Sequence, residues 1–295
     1  MTSNPITRVG LVAKPRVDAA ARVLVELTAW LDARGLQAIF ETHTAQLAGI
    51  TGGREIVSKD DLPRACDLIV LLGGDGTLIG MARRVARAGA DVPIAGVNFG
   101  SLGFLTEITL DDLYPSLDAV LQGTAPIEER MMLHAKTMRG GSVFTDEIVL
   151  NDVVLTKAAL SRIIELQVCI GPDRVMRVRA DGLIVATPTG STAYNLAAGG
   201  PIVQPVVDAM LLTPIAPHML TNRPLVVAGT STVSVEPVMN GNDEVFVTFD
   251  GQSGHALQAD DVVVIERATR PLCLVRSAER SYFDVLRQKL KWGER

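Results

Sequence analysis

Leu68-Ile69-Val70-Leu71-Leu72-Gly73-Gly74-Asp75-Gly76-Thr77-Leu78 is the stretch on which the fold turns. Five apolar residues in an unbroken row are the pattern of a parallel strand buried on both faces. The glycines end that strand, and Leu78, Met81, Ala82 and Val85 then recur at helical spacing. Strand, glycine turn and helix together are the unit from which open α/β sheets are built. Working outward, residues 8–12 form a short apolar strand. Residues 18–33 carry a helical pattern (Val23, Leu24, Leu27, Leu31) that stops at Gly35, and 36–40 form a second strand. Downstream, 93–97 read as a further strand leading into a glycine-rich turn. This first part is expected to be an open, mostly parallel, doubly wound sheet.

Beyond about Gly123 helical spacing disappears, and short β-rich runs alternate with Gly, Asn and Asp turns. The runs are 148–155, 163–170, 183–187, 232–236, 245–249 and 262–266. They predict a second, mainly antiparallel, sandwich-like domain. Residues 282–292 return to an amphipathic helical pattern. The expected division is 1–125 for the α/β domain, 126–275 for the β-rich domain and 276–295 for a C-terminal helix packing back on the first.

Composition narrows the function classes. With 47% hydrophobic and 21% charged residues the chain has ample apolar surface for two cores. Its formal net charge of -5 supplies no overall basic field for nucleic acid or a membrane surface. Arg83, Arg84 and Arg87 fall on one presumed helix and read as a solvated face. Cys66, Cys169 and Cys273 are far apart and form no CxxC pair, so neither a disulfide framework nor a zinc knuckle is indicated. The first sixteen residues lack a signal-peptide core and no later run has the length of a membrane span. A cytoplasmic location is expected.

The placement of Gly73-Gly74-Asp75-Gly76-Thr77 matters more than its letters. Ligands of open α/β sheets bind beyond the carboxyl ends of the strands, where glycines let backbone N–H groups approach phosphate oxygens. Asp75 has the wrong charge for holding phosphate. It suits a group that accepts a proton from an attacking hydroxyl or that helps hold a metal ion. Read as letters alone, the segment is an ordinary Gly-Asp turn. No lysine follows a glycine, which removes a Walker A loop, and Ile79 stands where GxGxxG needs its last glycine. HxH, HExxH and GxSxG are also missing, and His43, His134, His218 and His255 are dispersed.

A second informative stretch runs from Asp181 through Thr187-Pro188-Thr189-Gly190-Ser191-Thr192-Ala193-Tyr194 to Gly199-Gly200-Pro201. Four hydroxyl side chains within six residues at the end of an apolar strand are a dense set of donors for phosphate, ribose or adenine edges. For any one of them a helix cap is the favoured reading, Ser191 or Thr192 capping the segment through Ala198. The cluster favours a binding loop.

Together the GGDGT and TPTGSTAY segments resemble the NAD kinase family. The resemblance extends to Asn98-Phe99-Gly100-Ser101-Leu102-Gly103-Phe104-Leu105, to Asn222-Arg223-Pro224-Leu225 and to residues 286–293, nearly the whole chain. GGDG alone is shared with lipid kinases and phosphofructokinases; its pairing with TPTGSTAY is specific. The resemblance implies transfer of the γ-phosphate of ATP to the 2′-hydroxyl of the NAD adenosine ribose. Asp75 is then the catalytic base, with Gly74, Gly76 and Thr77 beside it at the phosphate end. Ser191, Thr192, Ala193, Tyr194, Asn195, Leu196 and Ala197 match the loop around the dinucleotide, and Asp181 an acidic contact to it. Arg162, Arg179 and Gln252 fall where the family places further substrate contacts. Asn151-Asp152 matches an Asn-Glu pair that holds ribose hydroxyls, with an acid here one methylene shorter; as letters it is a turn between two halves of an apolar stretch.

Mg²⁺ or another divalent cation is expected to arrive with ATP rather than in a permanent protein site. The family also implies a homodimer or homotetramer built through the β-rich domain. Two rival readings remain open on the sequence: a related lipid or sugar-phosphate kinase, and a dinucleotide-binding sensor without catalysis.

Overall fold

The computed structural model describes residues 5–14, 18–100, 102–158, 163–219, 221–239 and 244–292. The chain divides into two compact units, Met1–Glu129 with Leu272–Arg295, and Arg130–Pro271.

In the first unit, Glu55–Val57, Gln37–Glu41, Arg8–Ala13, Leu68–Leu72, Ile94–Val97, Leu272–Val275 and Ile127–Arg130 form one sheet in that spatial order. The pairings from Glu55–Val57 through to Leu272–Val275 are parallel. The chain moves outward from Arg8–Ala13 in one direction and then crosses back to Leu68–Leu72. The point of reversal therefore lies between these two strands, where open α/β sheets form their ligand crevice. All five residues of Leu68–Leu72 are buried, as an unbroken apolar row between two helical layers requires.

The helix Asp18–Asp32 buries Ala20, Leu24, Leu27 and Leu31, and Gly35 ends the segment at φ +71°. Asp75–Ala88 starts directly after the glycine turn and buries Leu78, Met81, Ala82 and Val85. Arg83 is also buried, contrary to the solvated face expected of the three arginines. It follows Ile79 by one helical turn and so shares the flank of the buried face, while Arg84 pairs with Asp60 and Arg87 is exposed.

The returning segment is fastened by Arg276, a buried guanidinium whose Nε lies 2.7 Å from Glu107 and whose Nη1 reaches Glu128. A charge taken out of water needs such pairing. The last helix, Tyr282–Leu290, opens on a reciprocal capping box between Ser281 and Asp284.

The second unit holds two six-stranded sheets whose pairings are antiparallel. Their facing residues form one core: Leu133, Leu166, Val168, Val235 and Ile265 from one sheet, Val153, Leu155, Leu183, Val185, Leu212 and Phe249 from the other. Side chains that point alternately to the two faces of each strand supply this inner face. Gly182–Ala186 and most of its neighbour Ala209–Ile215 are buried on both faces, because Ile184, Ala186 and Leu211 on the outer face lie with Val154 under Ala198 and Val203. The segment after Gly182–Ala186 thus folds back over the sheet that carries it. The expected run 148–155 is two strands, Ser142–Val149 and Asp152–Lys157, with the turn at Leu150-Asn151.

Candidate functional site

Asp75 is the first residue of its helix, and its carboxylate is held from the opposite side by the loop after Ile94–Val97. Oδ2 accepts the Phe104 N–H at 2.9 Å. Oδ1 accepts the N–H groups of Leu105 and Thr106, at 3.1 and 3.0 Å, and the Thr106 hydroxyl at 2.9 Å. Oδ1 is thereby saturated, and the remaining acceptor capacity of the carboxylate resides on Oδ2. Gly103 permits this approach, for a Cβ there would stand 2.1 Å from Asp75 Oδ1 and 2.3 Å from Thr106 Oγ1.

The glycines around Asp75 behave differently from Gly103. A Cβ on Gly74 or Gly76 would meet nothing within 4 Å, and Gly74 has a backbone conformation open to any residue. Neither protein packing nor backbone geometry demands glycine at these two positions. They keep open the space in front of a helix N-terminus, where partial positive charge collects. Thr77 is half-buried and lies beside Gly73.

In the second unit three neighbouring strands bring their ends together. Asp152 is in register with Ala186, and Val153 with Phe249. Asn151-Asp152, the loop from Thr187 and the turn holding Gln252 therefore share one edge of the sheet. Thr187 ties two of them: its N–H donates to Asn151 O at 2.9 Å, its hydroxyl donates to Leu150 O at 2.6 Å, and that hydroxyl accepts the Gly190 N–H at 2.9 Å. Gly190 lies so close that a Cβ would stand 2.1 Å from Asn151 O.

The hydroxyls of this loop mostly serve the loop itself. Ser191 is fully buried, and its hydroxyl both donates to and accepts from the backbone of Val203. Thr189 Oγ1 is buried without a hydrogen-bond partner. Neither Ser191 nor Thr192 caps a helix; the short turn Tyr194–Ala197 has Ala193 in the cap position. Asn195 is a buried pin, its amide donating to Ser191 O and Pro201 O at 3.0 Å each and accepting the Thr213 hydroxyl at 2.7 Å. Gly200 makes room for that amide, since a Cβ would stand 2.1 Å from Asn195 Oδ1. Thr192, Ala193 and Leu196 are half-buried, and Tyr194 and Ala197 exposed.

Asp152 is the one titratable group here whose properties depart far from the ordinary. Burial, followed by the charge of Asp250, pushes its carboxyl up to about 7. Asp181 immediately precedes the strand whose far end carries the loop, and pairs with Lys157 at 3.1 Å. Five strand residues lie between it and Thr187, which sets the two roughly 20 Å apart. Arg179 is exposed near the end of the preceding strand, Asp173–Ala180 of the other sheet, two residues before Asp181. The structure thus groups Asn151, Asp152, the loop from Thr187 and Gln252, and leaves Arg179 and Asp181 apart from them in the same unit. Arg162 lies outside the described residues. Two partners went unnoticed in sequence: Thr106, hidden in an apolar run, and Asp250, which reads as half of an Asp-Gly hairpin turn.

Comparison with known proteins identifies the family. Residues 9–125 match the profile of the ATP-NAD kinase N-terminal domain and residues 150–277 that of the C-terminal domain. The NAD kinase of Geotalea daltonii is 46% identical over 288 residues, covering 98% of this chain and 99% of the relative. That of Syntrophotalea carbinolica is 48% identical with the same coverage. Among solved structures, yeast NADH kinase complexed with NADH aligns with a TM-score of 0.90 at 25% identity, over 99% of this chain and 90% of that one. An Archaeoglobus fulgidus NAD kinase in complex with ATP shares the fold, with a TM-score of 0.75 at 24% identity over 96% and 98%. With both domain profiles matched in chain order and nearly full-length relatives at close to half identity, the chain belongs to the NAD kinase family.

Proposed function

We propose that this enzyme transfers the γ-phosphoryl group of ATP to the 2′-hydroxyl of the adenosine ribose of NAD, giving NADP and ADP, with Asp75 as the base. The observation that carries the reading is the Asp75 carboxylate, fixed by four hydrogen bonds beside two glycines whose Cβ space is open. Asp75 Oδ2 accepts the ribose proton as the hydroxyl oxygen forms its bond to the γ-phosphorus. The bridging oxygen leaves with ADP. Phosphoryl transfer asks the protein mainly for alignment and charge stabilisation, and a carboxylate that cannot swing away supplies the first. A divalent cation, entering on the ATP phosphates, supplies much of the second. Gly74, Gly76 and Thr77 form the phosphate end.

In the second unit, Asn151, Asp152, Gln252 and the loop Ser191–Ala197 hold the dinucleotide, with Ser191 and Asn195 acting through the loop's shape. Arg162, Arg179 and Asp181 complete the substrate contacts in this reading. The first unit is the ATP side and the second the NAD side and the oligomerisation surface. Val143, Phe144, Val226 and Phe246, exposed apolar residues on its strands, support a homodimer or homotetramer. Among the described residues no helix is long and apolar enough to cross a membrane; a cytoplasmic site of action accords with that.

Incubation with ATP, Mg²⁺ and NAD should yield NADP, read by a dehydrogenase that accepts only NADP. Asp75→Asn should lower turnover by about 10²–10⁴-fold, the usual contribution of a general base, while NAD still binds. Phosphorylation of a lipid or sugar phosphate in place of NAD, or NAD binding without product in the unaltered chain, would overturn the reading.

A further inference from the structure

Asp250 is the first of three residues that connect Val245–Phe249 to Ser253–Leu257. Asp250 and Gly251 both have positive φ, 51° and 62°, and the Gln252 N–H closes the turn on Phe249 O at 3.0 Å. Asp-Gly is the standard sequence for such a hairpin, and the turn alone would account for the residue. The side chain does something the turn does not need. Oδ2 accepts the N–H of Leu150 at 2.9 Å, and Oδ1 accepts the N–H groups of Asn151 at 2.7 Å and Asp152 at 3.1 Å. In return the Asp250 N–H donates to Asp152 O at 2.9 Å. Three successive amides converging on one carboxylate form an anion nest, with charge-assisted bonds stronger than neutral ones.

This nest fixes a segment of the sheet edge that strand pairing leaves loose. Leu150 and Asn151 lie between two strands, where their N–H groups have no ladder partner. Their carbonyls are taken by the hydroxyl and N–H of Thr187. The Leu150–Asp152 backbone is therefore gripped on its donor side by Asp250 and on its acceptor side by Thr187. Gly190 packs directly against it.

We infer that Asp250 is a positioning residue for the NAD site: its carboxylate holds the Leu150–Asp152 amides so that Asn151 and Asp152 present their side chains in register with the loop from Thr187. The inference rests on the reading of Asn151 and Asp152 as NAD contacts. It also accounts for an apparent extravagance, an aspartate placed where its charge opposes ionisation of Asp152.

The test uses the full-length enzyme, with NAD and ATP varied separately. Asp250→Asn keeps the volume and, because asparagine tolerates positive φ, the turn, but exchanges one acceptor oxygen for a donor that faces an N–H. KM for NAD should rise about tenfold or more, as expected for loss of a hydrogen bond to a charged group, with KM for ATP within about twofold. Gly251→Ala strains the same turn without touching the carboxylate. It should lower the melting temperature and leave KM for NAD near its original value. Equal rises in KM for NAD and ATP in Asp250→Asn, or a rise in KM for NAD in Gly251→Ala as large as in Asp250→Asn, would overturn the assignment.

Should Asp250→Asn fail to fold, Asp250→Ser, with one acceptor oxygen on a shorter arm, is measured in its place and judged by the same split. Asn151→Ala separates the two readings. If it leaves KM for NAD unchanged, the NAD contacts are wrong; if it raises KM for NAD and the Asp250 variant does not, only the positioning role is wrong.

Discussion

The glycine turn of the first unit and the hydroxyl-rich loop of the second sit at comparable places, each following a strand buried along its whole length. They use their polar groups in opposite directions. At Asp75 the surrounding backbone turns its N–H groups on a single side chain and leaves the space over Gly74 and Gly76 open. In the loop from Thr187, side chains turn on the backbone: Thr187, Ser191 and Asn195 bond to main-chain groups and become buried. A buried hydroxyl or amide is stable only when paired, so a loop lying over a sheet must satisfy its own polar groups first. Density of hydroxyls in sequence therefore measures how the loop is held together before it measures what the loop can bind.

The largest effect expected of this contrast is at Gly103. A methyl group there collides with both Asp75 Oδ1 and Thr106 Oγ1, rigid partners that are already bonded to each other. Gly103→Ala should displace the carboxylate from the geometry needed for proton abstraction and reduce kcat by about 100-fold, the scale of loss from a misplacement of about 1 Å. The stability loss should stay within about 1–3 kcal/mol, as for other overpacked sites. Gly76→Ala, by contrast, meets no protein atom, so any loss of activity there must appear in KM for ATP rather than in the melting temperature. Equal melting losses at the two positions would erase the distinction between a glycine kept for the protein and a glycine kept for the ligand.

A second test sharpens the electrostatic side. The Asp152 carboxyl is pushed up to about 7, chiefly by burial and then by the charge of Asp250. In the unfolded chain it titrates near about 4. Between those values the native state holds a proton that the unfolded state has released, so this group's contribution to stability is complete below about 4 and declines as pH rises towards 7. Above about 7 both states are ionised and the decline stops. Asp152→Asn removes the titration. Stability of the unaltered protein relative to Asp152→Asn, from urea melts, should fall from pH 4 to 7 and then level off. A flat difference across that window would show that Asp152 is ionised throughout in the folded protein.

Much of this was legible before any coordinates. The apolar row Leu68–Leu72, the helical spacing of Leu78, Met81, Ala82 and Val85, and the stop at Gly35 specify local structure through patterns only a few residues long, and the parallel sheet follows from them. The pairing of Leu272–Val275 beside Ile94–Val97 was not legible, because parallel partners far apart in sequence leave no local trace. Asn151-Asp152 and Gln252 could be selected only by resemblance. Their proximity is a consequence of strand register, Asp152 against Ala186 and Val153 against Phe249, which composition does not encode. Arg83 departs from the expectation that three basic residues make a charged face, because its position one turn after Ile79 decides its burial.

The smallest effect makes the most exacting comparison, because it sets two threonines of one loop against each other. Thr187 Oγ1 bridges Leu150 O and the Gly190 N–H, both within a buried region. Thr187→Val leaves a buried acceptor and a buried donor unsatisfied and should destabilise the protein by about 1–3 kcal/mol. Thr189 Oγ1, two residues on, is buried with no hydrogen-bond partner. Thr189→Val removes a desolvated hydroxyl without orphaning a neighbour, so stability should change by less than about 1 kcal/mol and rise if it changes at all. If that hydroxyl instead bonds the substrate, the same substitution leaves the melting temperature alone and raises KM for NAD. Equal destabilisation by both substitutions would mean that every hydroxyl of the loop is structural, and recognition of the dinucleotide would then fall to Asn151, Asp152 and the loop backbone.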